Sequence, residues 1–424
     1  MTQFNRYISA FFLFAVFTVA LLSCDTENSV EPTGKNYFVK YYGGNGNQSG
    51  VDLIEKNDGT FLLLGNWQID RTENRIYLVN VDGYGRVIWE KKIGTTHDKA
   101  KDIEPTSNGN FVILSENTSG TNAQIKLIRI SGAGNKIDSI VYGSPGNENP
   151  KTVTALTDGG FIITGATEYT EFVVNPVNPD DMSDIFHYRC GSNFSFDVNW
   201  RQQYSTGSVE GGTRVVQYSP TLFYVFGFSD QEHPGNPGGN VNLYYYETGA
   251  SGIAGGYNFL GDYDNDTEAS YVLVAREELG GGFFISGTET TSSGSVNLHV
   301  SKLREPLTFS LANDEIFDRS IPIESRKLTS LGATDCIVGT KGYLLTANET
   351  QNDGTNNIWL TKIDDRTGSV LWSTTFGSEE EDDLAGAALE LSDGRILLLG
   401  TVGLVNNQSK MVVMKLNSTG QLMD

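Results

Sequence analysis

The sequence is short of basic residues, cysteine and histidine. Thirty Lys and Arg stand against 52 Asp and Glu, a formal net charge of −22. A surface so poor in positive charge repels phosphate backbones and anionic headgroups, which argues against nucleic acid and anionic membrane faces as partners. Three cysteines in 424 residues exclude a disulfide-built scaffold. Cys190 and Cys336 lie in apolar, strand-like stretches and read as buried thiols; a disulfide is permitted in an exported chain but indicated by no spacing. The four histidines, His97, His187, His233 and His299, show no metal-ligand spacing, which argues against zinc. No P-loop or G-x-S-x-G elbow is present. Beyond residue 22 no apolar run reaches the ~18 residues of a membrane-spanning helix.

What is abundant is glycine, 48 residues, together with 11% aromatics, a composition of short strands and tight turns. At the N-terminus, Arg6 is followed by an apolar stretch from Ile8 to Leu22 and then by Leu21-Leu22-Ser23-Cys24. Basic start, apolar run and small residue mark a secretory signal. The last four residues resemble the bacterial lipobox, which implies cleavage before Cys24 and lipidation of that residue. Residues 25–35 are polar and aperiodic, a flexible tether. The expected organisation is a signal peptide over 1–23, a lipidated Cys24 with tether to 35, and one domain over 36–424. The expected location is the bacterial envelope, as an outer-membrane lipoprotein, with Asp25 and Glu27 loosely resembling the tags of surface-exported lipoproteins.

Internal repeats set the fold. Asp58-Gly-Thr-Phe-Leu-Leu-Leu-Gly65, Asn108-Gly-Asn-Phe-Val-Ile-Leu-Ser115, Asp158-Gly-Gly-Phe-Ile-Ile-Thr-Gly165 and Asp393-Gly-Arg-Ile-Leu-Leu-Leu-Gly400 are copies of one unit. Weaker copies end at Gly227, Gly287 and Asn348, and the seven ends are spaced 50, 50, 62, 60, 61 and 52 residues apart. Each is a turn dipeptide, Asx-Gly in the four strongest copies, followed by an apolar strand that needs cover on both faces. A third strand follows, as in Arg75–Asn80 and Asn357–Ile363, and then a fourth carrying a tryptophan: Trp89, Trp200 or Trp372. The tryptophans read as packing residues. Four strands per ~50-residue unit predict an all-β, seven-bladed β-propeller. The seventh copy stops after its third strand, so residues 36–43 are expected to supply its fourth and close the ring. Eight blades is the alternative, with a degenerate unit in 166–200 or 305–331.

Lys362-Ile-Asp-Asp-Arg-Thr-Gly-Ser-Val-Leu-Trp372 resembles the repeats of PQQ-type quinoprotein propellers, and the whole pattern resembles propeller lipoproteins common in Bacteroidetes. A quinoprotein would require a vicinal Cys-Cys pair, and this chain has none. The candidate ligand face is the one carrying second-to-third-strand loops and blade-to-blade links. Its links read as acidic: Glu148, Glu210, Asp262 to Glu268 and Glu379 to Asp383. Its candidate contacts are Glu168, Tyr169, Phe172, Asp230, His233, Glu289 and Glu349, aromatics that could stack on a sugar and carboxylates that could accept its hydroxyls. Asp262, Asp264 and Asp266 alternate as in calcium loops, although Thr267 stands where glycine is expected. No cofactor other than this calcium is implied. The function expected is non-catalytic binding of an envelope protein or glycan by a lipid-anchored scaffold. The alternative is a carbohydrate-binding or carbohydrate-cleaving surface lipoprotein.

Overall fold

The computed structural model describes residues 37–423, apart from 70–72, 169–182, 198–199, 201, 205–208, 232–239, 250–253, 261–264, 275–280, 324–326, 337–338, 340 and 379. Seven four-stranded antiparallel sheets form the blades. Blade 1 comprises Asn47–Glu55, Phe61–Gln68, Asn74–Val81 and Val87–Ile93. Blades 2 to 7 begin with Asp98–Pro105, Glu148–Ala155, Glu210–Ser219, Asp266–Val274, Lys327–Cys336 and Leu384–Glu390. Neighbouring first strands touch all the way round, blade 7 to blade 1 included, so they line the axis. Seven blades, not eight, account for the described residues. Within 305–331, the third-to-fourth-strand connection of blade 5 carries a single helical turn, Leu311–Asp314.

Ring closure is as the truncated seventh copy predicts. Phe38–Tyr42 is the fourth strand of blade 7, paired antiparallel with Gln408–Leu416 from Phe38↔Lys415 to Tyr42↔Met411. No blade is left with three strands and an open edge.

The repeated Asx-Gly dipeptides turn first strands into second strands. Gly59, Gly109, Gly159 and Gly394 hold φ between +75° and +82°, which side chains with a Cβ resist. The preceding Asx accepts from the amide two residues on, as Asp58 Oδ1 does from Thr60 (3.0 Å) and Asp158 Oδ1 from Gly160 (2.9 Å).

The apolar second strands feed two interfaces at once. Phe61, Leu63 and Trp67 pack with Leu397 and Leu399 of blade 7. Leu62 and Leu64, on the opposite face, pack with Ile113 and Ile128 of blade 2. The strand's alternation is therefore hidden in sequence, because both faces are core. Each such leucine contributes ~1.5–3 kcal/mol on burial.

The outer part of each junction is an aromatic seated on a backbone turn. Phe38 of blade 7 covers Gly85 of blade 1, Trp89 covers Gly134, Phe317 covers Gly368 and Trp372 covers Gly420. All four glycines hold φ between +68° and +74°. Two junctions invert the arrangement. Blade 2 has Asp138 where an aromatic is expected, and Phe194 on the blade 3 turn is itself buried there, at φ +62°. Blade 4 has Gly256, and Phe309 of blade 5 lies against it. Trp200 departs from its expected place: the fourth strand of blade 3 is only Gln202–Tyr204, and Trp200 precedes it, fully buried edge-on to Phe223.

These contacts separate two costs of adding one methyl. A Cβ on Gly368 would lie 2.7 Å from the Phe317 ring, whereas one on Gly59 meets open space at a similar φ. Gly59→Ala is expected to cost about 1 kcal/mol of backbone strain, and Gly368→Ala about 1–3 kcal/mol more. Chemical denaturation of both variants measures the difference.

Candidate functional site

All seven first strands carry a register shift near their middle, with one extra residue on the first strand. Such bulges re-aim the following side chain. In blades 1 to 4 the first residues paired after the shift are Asp52, Asp102, Thr152 and Arg214. Charge is thus concentrated on the axis, in the strands that elsewhere bury apolar groups.

An axial cavity of about 480 Å³ is lined by Asp52, Asp102 and Thr152 together with Gly332 and Thr334 of blade 6 and Ala385–Leu389 of blade 7. The Asp52 and Asp102 carboxyl groups hydrogen-bond to each other across the blade 1–2 junction. Backbone amides hold each in place: Leu53 N to Asp52 Oδ1 at 2.7 Å, Ile103 N to Asp102 Oδ1 at 2.9 Å, and Val153 N of blade 3 to Asp102 Oδ2 at 2.8 Å. Both groups are only half-buried by area, yet protein surrounds them on the sides away from the cavity. Desolvation raises both above the usual carboxylate range, and the charge of Asp52 raises Asp102 further. Each carboxyl therefore keeps its proton to higher pH than a free carboxylate, and ionising one opposes ionising the other. Glu104, two residues further along the strand, is lifted by desolvation to about 7, against the pull of Arg214. The Arg214 guanidinium donates to Glu104 Oε1 at 2.8 Å, spanning from blade 4 to blade 2.

Where the first strands start, the lining of the cavity is basic. Lys99 and Lys101 of blade 2 and Lys151 of blade 3 line it, with Asn149. Lys99 and Lys151 are exposed. Lys101 leans on Glu116 (2.7 Å) and Asn149 (3.3 Å). Lys99 also borders a second cavity of about 320 Å³, walled by Asn47, Gln48, Ser49, Asn66, Gln68, Asn74 and Ser409.

Three of the expected acidic link residues are turned inward, while Asp266, Glu380 and Asp382 stay exposed. Glu148, Glu210 and Asp383 are 1%, 0% and 1% exposed, so they do not form a negative face. They occupy the position of Asp98, which shows the reason. Asp98 is buried at the start of its strand, accepts from Lys126 Nζ, Asn117 Nδ2 and the Thr95 amide at 2.6 Å each, and is held below the usual carboxylate range by these bonds despite desolvation. Asp383 likewise accepts from Ser378 N (2.7 Å) and Gly403 N (3.0 Å).

The predicted ligand residues are not brought together among the described residues. Glu168 is exposed and accepts from Asn147 Nδ2 at 2.6 Å; Asp230 accepts from Val209 N at 2.6 Å. Glu349 is fully buried and accepts from Thr375 Oγ1 at 3.1 Å. Glu289 is buried beside His299 Nδ1 (3.6 Å), whose Nε2 meets Asp318 Oδ1 (2.9 Å) and Ser301 Oγ (2.8 Å). Burial pulls the imidazole pKa down, but the hydrogen bond His299 donates to Asp318 and the nearby Glu289 carboxylate outweigh it and lift it to about 9. Ser301 and Asp318 share one ring nitrogen and His299 is 2% exposed, so this cluster is an internal ion pair rather than a nucleophilic triad. Tyr169, Phe172, His233, Asp262 and Asp264 lie outside the described residues; Asp266 is exposed and accepts from Val241 N (3.0 Å). Among the described residues no three His, Cys, Asp or Glu are grouped to hold a metal.

No protein-family model and no curated protein sequence matches the chain. Solved structures do match in fold. A polysaccharide lyase, the PL25 ulvan lyase, superposes over 90% of this chain and 97% of its own, with a TM-score of 0.53 and 10% identity. A second structure of that lyase, bound to -[GlcA(1-4)Rha3S]-, gives 0.52 and 9%, over 90% of this chain and 96% of its own. An acylaminoacyl peptidase of Pyrococcus horikoshii gives 0.47 at 10% identity, over 89% of this chain and 52% of that one. These findings correct the expectation of a non-catalytic scaffold. The two neighbours above 0.5 are structures of a carbohydrate-cleaving enzyme, although identity this low carries fold alone.

The raised groups make stability depend on pH in a stated direction. A group whose pKa is higher folded than unfolded stabilises below its unfolded value and loses that contribution as pH rises through the folded one. The Asp52–Asp102 pair and Glu104 lose theirs between about 4 and about 7. His299 loses its own between 6.5 and about 9. Thermal midpoints should therefore fall from mildly acidic pH to pH ~9 in two stages. Asp52→Asn should flatten the first stage and His299→Gln the second, each read by calorimetry across the range.

Proposed function

We propose that this protein is an exported, lipid-anchored β-propeller that cleaves a polysaccharide at its axial cavity. The observation that carries the reading is the Asp52–Asp102 pair, a carboxyl couple with raised pKa values on the wall of the axial cavity. Carboxyls raised toward neutrality are suited to general acid–base chemistry. Glycoside hydrolysis by two separate carboxylates requires about 5–9.5 Å between them. These two are in hydrogen-bond contact, so the pair acts as one unit in an elimination: its ionised carboxylate takes a proton from the sugar ring, its protonated carboxyl gives one to the departing glycosidic oxygen, and a C=C bond forms in the ring as the C–O bond breaks. Arg214 supports this by pairing with Glu104, which would otherwise add a further uncompensated negative charge beside the pair. The Asn- and Gln-lined cavity beyond Lys99 suits sugar hydroxyls, since each amide both donates and accepts. The fold shared with a polysaccharide lyase supports the same reading.

The anchor and address belong to this proposal as well. Cys24, after its apolar leader, would carry the lipid and hold the propeller at the outer membrane, in keeping with its resemblance to Bacteroidetes propeller lipoproteins. Multiple acyl chains are required for stable attachment, at ~0.8 kcal/mol per buried CH₂.

Incubation with a panel of polysaccharides, read by chain shortening and new reducing ends, tests the activity. Asp102→Asn should reduce the rate at least 100-fold without unfolding the protein, and Asp52→Asn should shift the pH profile. A panel left intact by folded wild-type protein would sink the reading. Cys24→Ser should move the protein from the membrane to the soluble fraction, measured by fractionation and immunoblotting.

A further inference from the structure

We infer that the amide-walled cavity of blade 1 is a binding subsite for an uncharged sugar. This rests on the proposed function and names the part of the substrate held beside the residue that is cleaved. The premise is the chemistry of the wall. In a chain with 52 acidic residues, no described carboxylate lines this cavity. Its volume, about 320 Å³, is near the ~300 Å³ at which pockets begin to enclose small ligands.

Three of the carboxamides are fixed at one end and open at the other. Asn66 Oδ1 accepts from the Ala100 amide of blade 2 at 2.8 Å, which leaves Nδ2 to donate into the cavity. Asn47 Oδ1 accepts from the Ser409 amide of blade 7 at 3.1 Å, with the same result. Asn74 runs the other way: its Nδ2 donates to Asp98 O at 3.2 Å, which leaves Oδ1 to accept. These clips belong to the fold, since Asn348 of blade 6 repeats the one at Asn66 by accepting from Ala385 N at 2.7 Å. Gln68 lies two residues beyond Asn66 on the same strand face and is exposed; it and Ser49 are able to donate or accept.

This pattern selects the ligand. Fixed donors and a fixed acceptor on one wall are matched by hydroxyl groups, which do both. A carboxylate or sulfate only accepts, and it would face the Asn74 carbonyl oxygen. An apolar group would leave all three amides unpaired. Lys99 lines this cavity and the axial one, so a sugar seated here adjoins one at the Asp52–Asp102 pair. The match makes no use of the lysine charge, so binding should not depend on salt.

The test uses the full-length protein in mild detergent, carrying Asp102→Asn so that bound chains stay whole. Binding of cellohexaose, mannohexaose, xylohexaose, maltohexaose and the acidic hexagalacturonate is measured by saturation-transfer NMR and calorimetry at low and high salt. Salt-independent binding of at least one neutral hexaose is expected. Ser49→Ala/Gln68→Ala removes two side chains with no hydrogen bond to other described residues, and it should weaken that binding about tenfold. Asn66→Asp keeps the oxygen that Ala100 needs but removes the outward donor, and it should cost about threefold or more. The control Asn57→Ala, on a turn between first and second strands, should change binding less than twofold. Binding of no neutral hexaose, binding of hexagalacturonate alone, or equal affinity in the cavity variants would each overturn the inference. Neutral-sugar binding that the cavity variants weaken, by a protein whose wild-type form shortens no polysaccharide, would overturn the cleavage reading and leave the subsite standing. Cleavage by wild-type protein with KM unchanged in Ser49→Ala/Gln68→Ala would do the reverse.

Discussion

The fold depends on how one blade is seated on the next at the outer edge. Near the axis, first strands of adjacent blades touch directly, and small side chains and hydrogen bonds such as Thr152 Oγ1 to Thr213 O (2.8 Å) suffice. Further out the blades splay and the gap needs a large, rigid filler. An aromatic ring laid on a glycine turn supplies it, because the ring needs a flat partner and the glycine offers backbone with no Cβ. Where the ring is missing from one side, as at Asp138 and Gly256, it comes from the other, as Phe194 and Phe309. What the junction keeps is filled volume, and which blade contributes it is secondary.

That outer packing frees the axis for polar chemistry. With stability vested in the second and third strands and in the rim, the first strands carry Asp52, Asp102, Glu104 and Arg214 without emptying the core. Burying these groups is unfavourable in itself, and the raised carboxyl pKa values express that cost. Their retention beside a cavity, rather than replacement by valine, is what gives the axis its functional interest.

Most of the architecture was legible in the sequence, because its determinants are local. Asx-Gly turns, apolar second strands and a missing last strand specify blades, blade number and closure without any long-range contact. The site was much less legible. Asp52 and Asp102 stand 50 residues apart at one place in the repeat, and that periodicity was readable. That their carboxyls meet depends on the curvature of the closed ring, which no spacing encodes. Glu148, Glu210 and Asp383 misled for the opposite reason. They follow polar links, and only the partners that Asp98 exemplifies, on second and third strands, explain why they point inward. The inverted junctions at Phe194 and Phe309 were hidden because a substitution in one blade is balanced in its neighbour.

Closure by the N-terminal strand has a mechanical consequence. Ladder hydrogen bonds run perpendicular to their strands, and Phe38–Tyr42 is joined to its partner over five register pairs. A pull on the chain ahead of Phe38 acts along the strand axis and loads those pairs together, in shear, instead of peeling them singly. The residue that leads into the ring is thus also its clasp. Tension from the N-terminal side is borne first by the seam where the two ends of the sequence meet, and the other six blades feel it only after that seam has slipped.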